Sequence, residues 1–163
     1  MAVGLFALVQ LQLSAMPATA LDGTIPSLPL LITLCAALLL DPPVALWWAL
    51  FLGWLLDWRS GAAGGDSLPL VAVALLAVVG RRRFFGGGLA LSAAFTVLGS
   101  LLHLGLQLLL AARWSDPGAW SQGLLPGLGI RYVIVNLLWL PVVLLPMRRM
   151  AQWLNPSSMG WER

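Results

Sequence analysis

The polar residues most able to do chemistry lie in one apolar stretch, 89-LALSAAFTVLGSLLHLGLQ-107, where Ser92, Thr96, Ser100, His103 and Gln107 recur at steps of four, four, three and four. Those steps place all five on one helical face. Such a stripe has two uses. It can hydrogen-bond neighbouring helices, at about 0.6 kcal/mol per contact, or it can line a ligand or proton path with His103, the single histidine, as the titrating member. A proton path calls for an acid partner, and the last apolar segment supplies only Asn136 and Arg131. The chain has no GxSG-like serine, no HExxH and no pair of intramembrane acids spaced for a metal or a protease dyad. It therefore reads as a non-enzyme with no cofactor and no metal.

A second feature is 51-FLGWLLDWRSGAAGG-65, where Asp57 follows Gly53 by four residues on the same face. A carboxylate at a helix C-terminus opposes the helix dipole, so its stabilisation must come from elsewhere. Arg59, Arg131 or the backbone amides of Ser60 to Gly65 are the available partners, and RSGAAGG suits a tight turn folded over the carboxylate. Gly53 leaves room for a close neighbour.

The elements that position these residues follow from composition. Of 163 residues 60% are apolar and 9% charged, with mean hydropathy +0.92, which implies an integral membrane protein. The expected fold is all-α: a bundle of about six transmembrane helices forming one domain over residues 1–163, with apolar segments at 2–16, 26–40, 43–58, 68–80, 88–112 and 130–147. The first and fourth fall short of the ~20 residues of a full span. Segment 2–16 also reads as a signal peptide, against which stands the absence of any Lys or Arg before Arg59. All nine basic residues are arginine, and a net charge of +3 is too scattered for nucleic acid. With both termini inside, Arg81, Arg82, Arg83, Arg148, Arg149 and Arg163 fall on the cytoplasmic side, as the positive-inside rule requires. Trp47, Trp58, Trp114 and Trp153 lie near span boundaries, whereas Trp54 and Trp139 read as packing residues. The lone Cys35 excludes an intrachain disulfide. The 113–129 loop is either a simple connection or an interfacial segment.

The Pro-entered span (Ile25, Pro26, Ser27, Leu28), the second span ending G-x-x-x-D (Gly53, Asp57) and the Ser/Gly loop (Ser60, Gly61, Gly64) resemble the MreD family of rod shape-determining membrane proteins. The motif covers residues 23–68, and segments five and six match in hydropathy only. The resemblance implies a non-enzymatic scaffold of cell elongation in the bacterial plasma (inner) membrane, serving peptidoglycan biogenesis. Its implied partners are an MreC-like bitopic protein and, through the complex, the MreB filament and peptidoglycan synthases. It gives Gly53, Asp57, Arg59, Gly61, Gly64 and Arg131 a partner-organising role. The same six-helix plan resembles the substrate-binding subunits of energy-coupling-factor vitamin transporters, which would instead use the stripe to hold a small molecule.

Overall fold

The computed structural model describes residues 26–60, 65–83, 89–114 and 126–154, which form five helices and, among them, no strand. They are α1 (Leu28–Leu39), α2 (Pro42–Ser60), α3 (Ser67–Arg83), α4 (Leu89–Trp114) and α5 (Pro126–Leu154). Each coincides, to within a few residues at most boundaries, with an apolar segment of the sequence; α5 is longer at both ends. Segment 2–16 lies outside the described residues. Two helical stretches, Leu89–Leu110 and Gly129–Gln152, are long and apolar enough to cross a membrane.

α1 is the core of the bundle. Every residue from Leu28 to Ala37 is buried, and the helix packs against all four others. Its 12 residues rise only about 18 Å, well short of the ~30 Å of a hydrocarbon layer. Its start is local chemistry: Ser27 stands at the N-cap, its carbonyl accepting from Leu31 N–H at 3.0 Å, and Pro29 occupies the first turn, where a missing N–H costs nothing. Its end is equally local. Pro42 disfavours a helical conformation at Asp41, and the chain restarts as α2 with Ala45 N–H donating to the Asp41 carbonyl at 3.0 Å.

α2 buries Ala45, Ala49, Leu52, Gly53 and Asp57 and exposes Val44, Trp47, Phe51, Trp54 and Trp58. Trp54 is 52% exposed, so it is not the packing residue that its mid-span position suggests. Its ring stacks along the helix with Trp58; Trp139, half-buried, does pack against the core, as does Trp48. At Gly53 α2 and α3 touch almost backbone to backbone, because a Cβ there would meet the Cα of Ser67 and lie 2.7 Å from its Cβ. Only glycine permits that approach. In α5 the two internal prolines, Pro141 and Pro146, both lie on the exposed face, where the loss of a backbone donor disturbs no packed neighbour.

Candidate functional site

Asp57 closes α2 and opens α3. Its Oδ1 accepts the backbone N–H of Asp66 at 2.6 Å, while Oδ2 accepts the backbone N–H of Ser67 at 3.3 Å and also the Ser67 hydroxyl. The first amides of a helix lack intrahelical partners and carry the positive end of its dipole. Asp57 therefore does for α3 what an N-cap residue does, but from a different helix. The charge that opposes its own helix dipole is stabilised by the next one, and the Gly53 contact with Ser67 brings the two close enough for this.

The amides involved belong to Asp66 and Ser67, just past the Ser60–Gly65 stretch considered from sequence. Gly61 and Gly64 lie outside the described residues. Arg59 is in the last turn of α2, and Arg131 stands exposed near the start of α5. Asp66 and Ser67 carry a legible N-terminal signal in G-D-S-L-P, since Asp and Ser favour helix starts. The Asp66 carbonyl indeed accepts from Leu70 N–H at 3.1 Å.

The stripe of α4 continues from this cluster into the bundle. Gln107 Nε2 donates to Asp66 Oδ1 at 2.6 Å. Burial, reinforced by the nearby Asp57 charge and opposed by the Gln107 hydrogen bond, holds the Asp66 carboxyl above its ordinary range. One turn deeper, His103 Nδ1 is 3.1 Å from the Tyr132 hydroxyl, with the two rings nearly parallel at 13°. Deeper again, Asn136 Nδ2 donates to Ser100 Oγ at 3.1 Å and Asn136 Oδ1 accepts the Ser27 backbone N–H at 2.9 Å. Ser100 is midway along α4, so α1 begins in the middle of the bundle, with the amide of its N-cap residue held by an asparagine of α5. At the bottom of the stripe Thr96 turns back on its own helix, donating to the Ser92 carbonyl at 2.8 Å.

Ser92, Thr96, Ser100, His103 and Asn136 are all buried, and Gln107 is half-buried. The tertiary structure thus converts one helical face into a column that links α1, α3, α4 and α5. Among the described residues two buried side-chain atoms, His103 Nε2 and Thr33 Oγ1, have no hydrogen-bond partner. Which of the Tyr132 hydroxyl and His103 Nδ1 donates is set by the histidine tautomer. Tyr132, the single tyrosine, was not singled out from sequence, although it lies four residues before Asn136 on the same face.

The opposite end of α3 holds a second polar contact. Arg81 Nη1 lies within hydrogen-bond distance of three carbonyls at the C-terminus of α1: Leu40 at 2.7 Å, Leu38 at 3.1 Å and Ala37 at 3.4 Å. Those carbonyls have no intrahelical donor, and a cation there suits the negative end of the dipole. From sequence, Arg81 is one of a run that reads as a simple orientation signal. Its neighbourhood gives it a capping role that no spacing rule reveals. Among the described residues no three His, Cys, Asp or Glu side chains converge as a metal site.

Searches against family models, curated proteins and solved structures return no match for this chain.

Proposed function

We propose that the protein is a non-enzymatic scaffold of the bacterial elongation machinery, of the MreD kind, whose part is to present membrane helices in one fixed arrangement to an MreC-like bitopic partner. The observation that carries this reading is that the polar side chains of the bundle are largely spent on one another. Ser100 with Asn136, His103 with Tyr132, Gln107 with Asp66 and Asp57 with Ser67 join helices rather than point at a vacant centre. A substrate site would keep such groups in reserve for its ligand. A scaffold needs them to hold the frame.

In this reading segment 2–16 joins α1–α5 to make six membrane-inserted segments in the plasma membrane. The Arg81 end then faces the cytoplasm with both termini, and the Asp57 end faces outward. Cysteine labelling at Phe84 and Gly118 should report opposite sides, and labelling from the same side removes this topology. The exposed aromatic face of α2 and the aliphatic faces of α4 and α5 supply surface for partner helices and lipid.

The deciding experiment is co-purification of an MreC-like protein from membranes, normalised to the abundance of each variant. Asp57→Asn should lower the recovered partner several-fold while the protein remains in the membrane. Wild-type recovery with both Asp57→Asn and Asp57→Ala would remove Asp57 from partner organisation. A substrate-binding transporter subunit is the second reading, favoured by one observation, His103 Nε2 at the centre of the column, which has no hydrogen-bond partner among the described residues. Co-purification with an ATPase module in place of an MreC-like protein would select it.

A further inference from the structure

The exposed face of α5 has an order along its length, from aliphatic to cationic, that a plain lipid-facing surface does not require. Ile134, Leu138, Val142 and Leu145 lie on it at steps of four, four and three, each 49–62% exposed, and the next residue in the same register is Arg149, also exposed. An aliphatic track about 17 Å long thus runs straight into a guanidinium. Arg148 stands beside it, half-buried and within electrostatic reach of Cys35 in the last part of α1. The same helix ends at the carbonyls of Leu38 and Leu40, to which Arg81 is bonded. Arg82 and Arg83 follow it in the chain.

Charge at the two ends of the bundle is unequal. The Arg81 end carries five arginines and, among the described residues, one acid, Asp41, which is exposed; the Asp57 end carries three arginines with Asp57 and Asp66. A surface that is aliphatic along the helix and cationic at its end matches a molecule with acyl chains and an anionic head. Arginine adds a planar fork of donors that suits phosphate oxygens. Basic residues at helix ends attract anionic leaflets in this way.

We propose that the α5 face ending at Arg148 and Arg149 is a binding site for an anionic phospholipid. The acyl chains lie along Leu138, Val142 and Leu145, and the phosphate is held by Arg149 with Arg148. The proposal rests on insertion of α5 in a membrane and is independent of the elongation partner.

Native mass spectrometry of the full-length protein in detergent, titrated with phosphatidylglycerol or phosphatidylcholine, tests it. Phosphatidylglycerol should bind in preference, and Arg149→Gln should lower its occupancy about fivefold, the effect of one basic residue near a charged surface. Arg148→Gln/Arg149→Gln should abolish the preference. Arg113→Gln, which removes the same charge from the exposed surface of the other end, should leave it intact. Equal binding of the two lipids, or equal loss in Arg113→Gln, overturns the proposal. Displacement of phosphatidylglycerol by millimolar inorganic phosphate would assign the site to a free anion, and displacement by a polyglutamate peptide would assign it to an acidic protein segment. Either result also overturns it.

Discussion

The two ends of α3 solve one physical problem in opposite ways. At its N-terminus α3 is the backbone donor, and a carboxylate from α2 comes to it; at its C-terminus α3 sends out a guanidinium to carbonyls of α1. Both arrangements satisfy orphan groups of a helix end and complement a dipole. They differ in redundancy. Asp57 offers two oxygens to three donors at a place where Gly53 and Ser67 are in backbone contact, so geometry there has no slack. Arg81 places one nitrogen among three carbonyls at 2.7 to 3.4 Å from the end of a long stem, and a small displacement exchanges one acceptor for another. The Asp57 end should be intolerant of change and the Arg81 end forgiving.

Substitutions at the Asp57 end should have the largest effect. Asp57→Ala strands the Asp66 and Ser67 amides and should cost about 3 kcal/mol, with Asp57→Asn at about half that because an amide NH2 replaces one acceptor. Gly53→Ala forces α2 and α3 apart and should cost about 1–3 kcal/mol while leaving every hydrogen-bonding group in place. Thermal unfolding in detergent reads all three. If Gly53→Ala is neutral, the close approach is not what makes the carboxylate contact rigid.

Next in size is Arg81. Its replacement by alanine should cost about 1 kcal/mol, as expected of a partly buried cation at a helix C-terminus, and Arg81→Lys should recover most of it because an ammonium keeps the charge and can still donate to these carbonyls. Equal loss in Lys and Ala variants would mean that the planar fork is required and that this end is as exacting as the other.

The smallest effect, and the one that separates the two aspartates, concerns Asp66. Its carboxyl is held above the ordinary range by burial, so the folded state favours the protonated form. The sign follows by linkage: this contribution to stability is fully present below the unfolded carboxylate value and is lost as pH rises through the raised folded one. Asp66→Asn keeps an acceptor for Gln107, and should leave stability at neutral pH unchanged or slightly higher while flattening its acid-side pH dependence. A destabilised Asp66→Asn with the dependence intact would assign that slope to another group.

How much of this was legible beforehand differs between the helices and their contacts. Apolar runs bounded by Pro, Gly and charge located all five described helices, because an apolar segment has few other ways to satisfy its backbone. The alignment of Ser92, Thr96, Ser100, His103 and Gln107 on one face, and of Gly53 with Asp57, is a property of the 3.6-residue repeat and needed no structure. Partners were another matter. That Gln107 meets Asp66, that Asn136 reaches Ser27 and that Arg81 caps α1 are contacts between residues 41 to 109 positions apart, which no local rule relates. Exposure behaved likewise, since Trp54 and Ala49 share a helix interior and only the position of the neighbours sends one outward and the other into the core.

Sequence alone therefore determined an all-helical apolar chain with a polar face on α4 and a carboxylate at the end of α2, because those depend on composition and helical period. Tertiary structure decided that α1 is a short central helix starting in mid-bundle, and that the polar groups mostly meet one another. The reason is physical: a helix end or a buried amide must find a partner, but which partner depends on how five helices pack, and that is settled only when their surfaces close on each other.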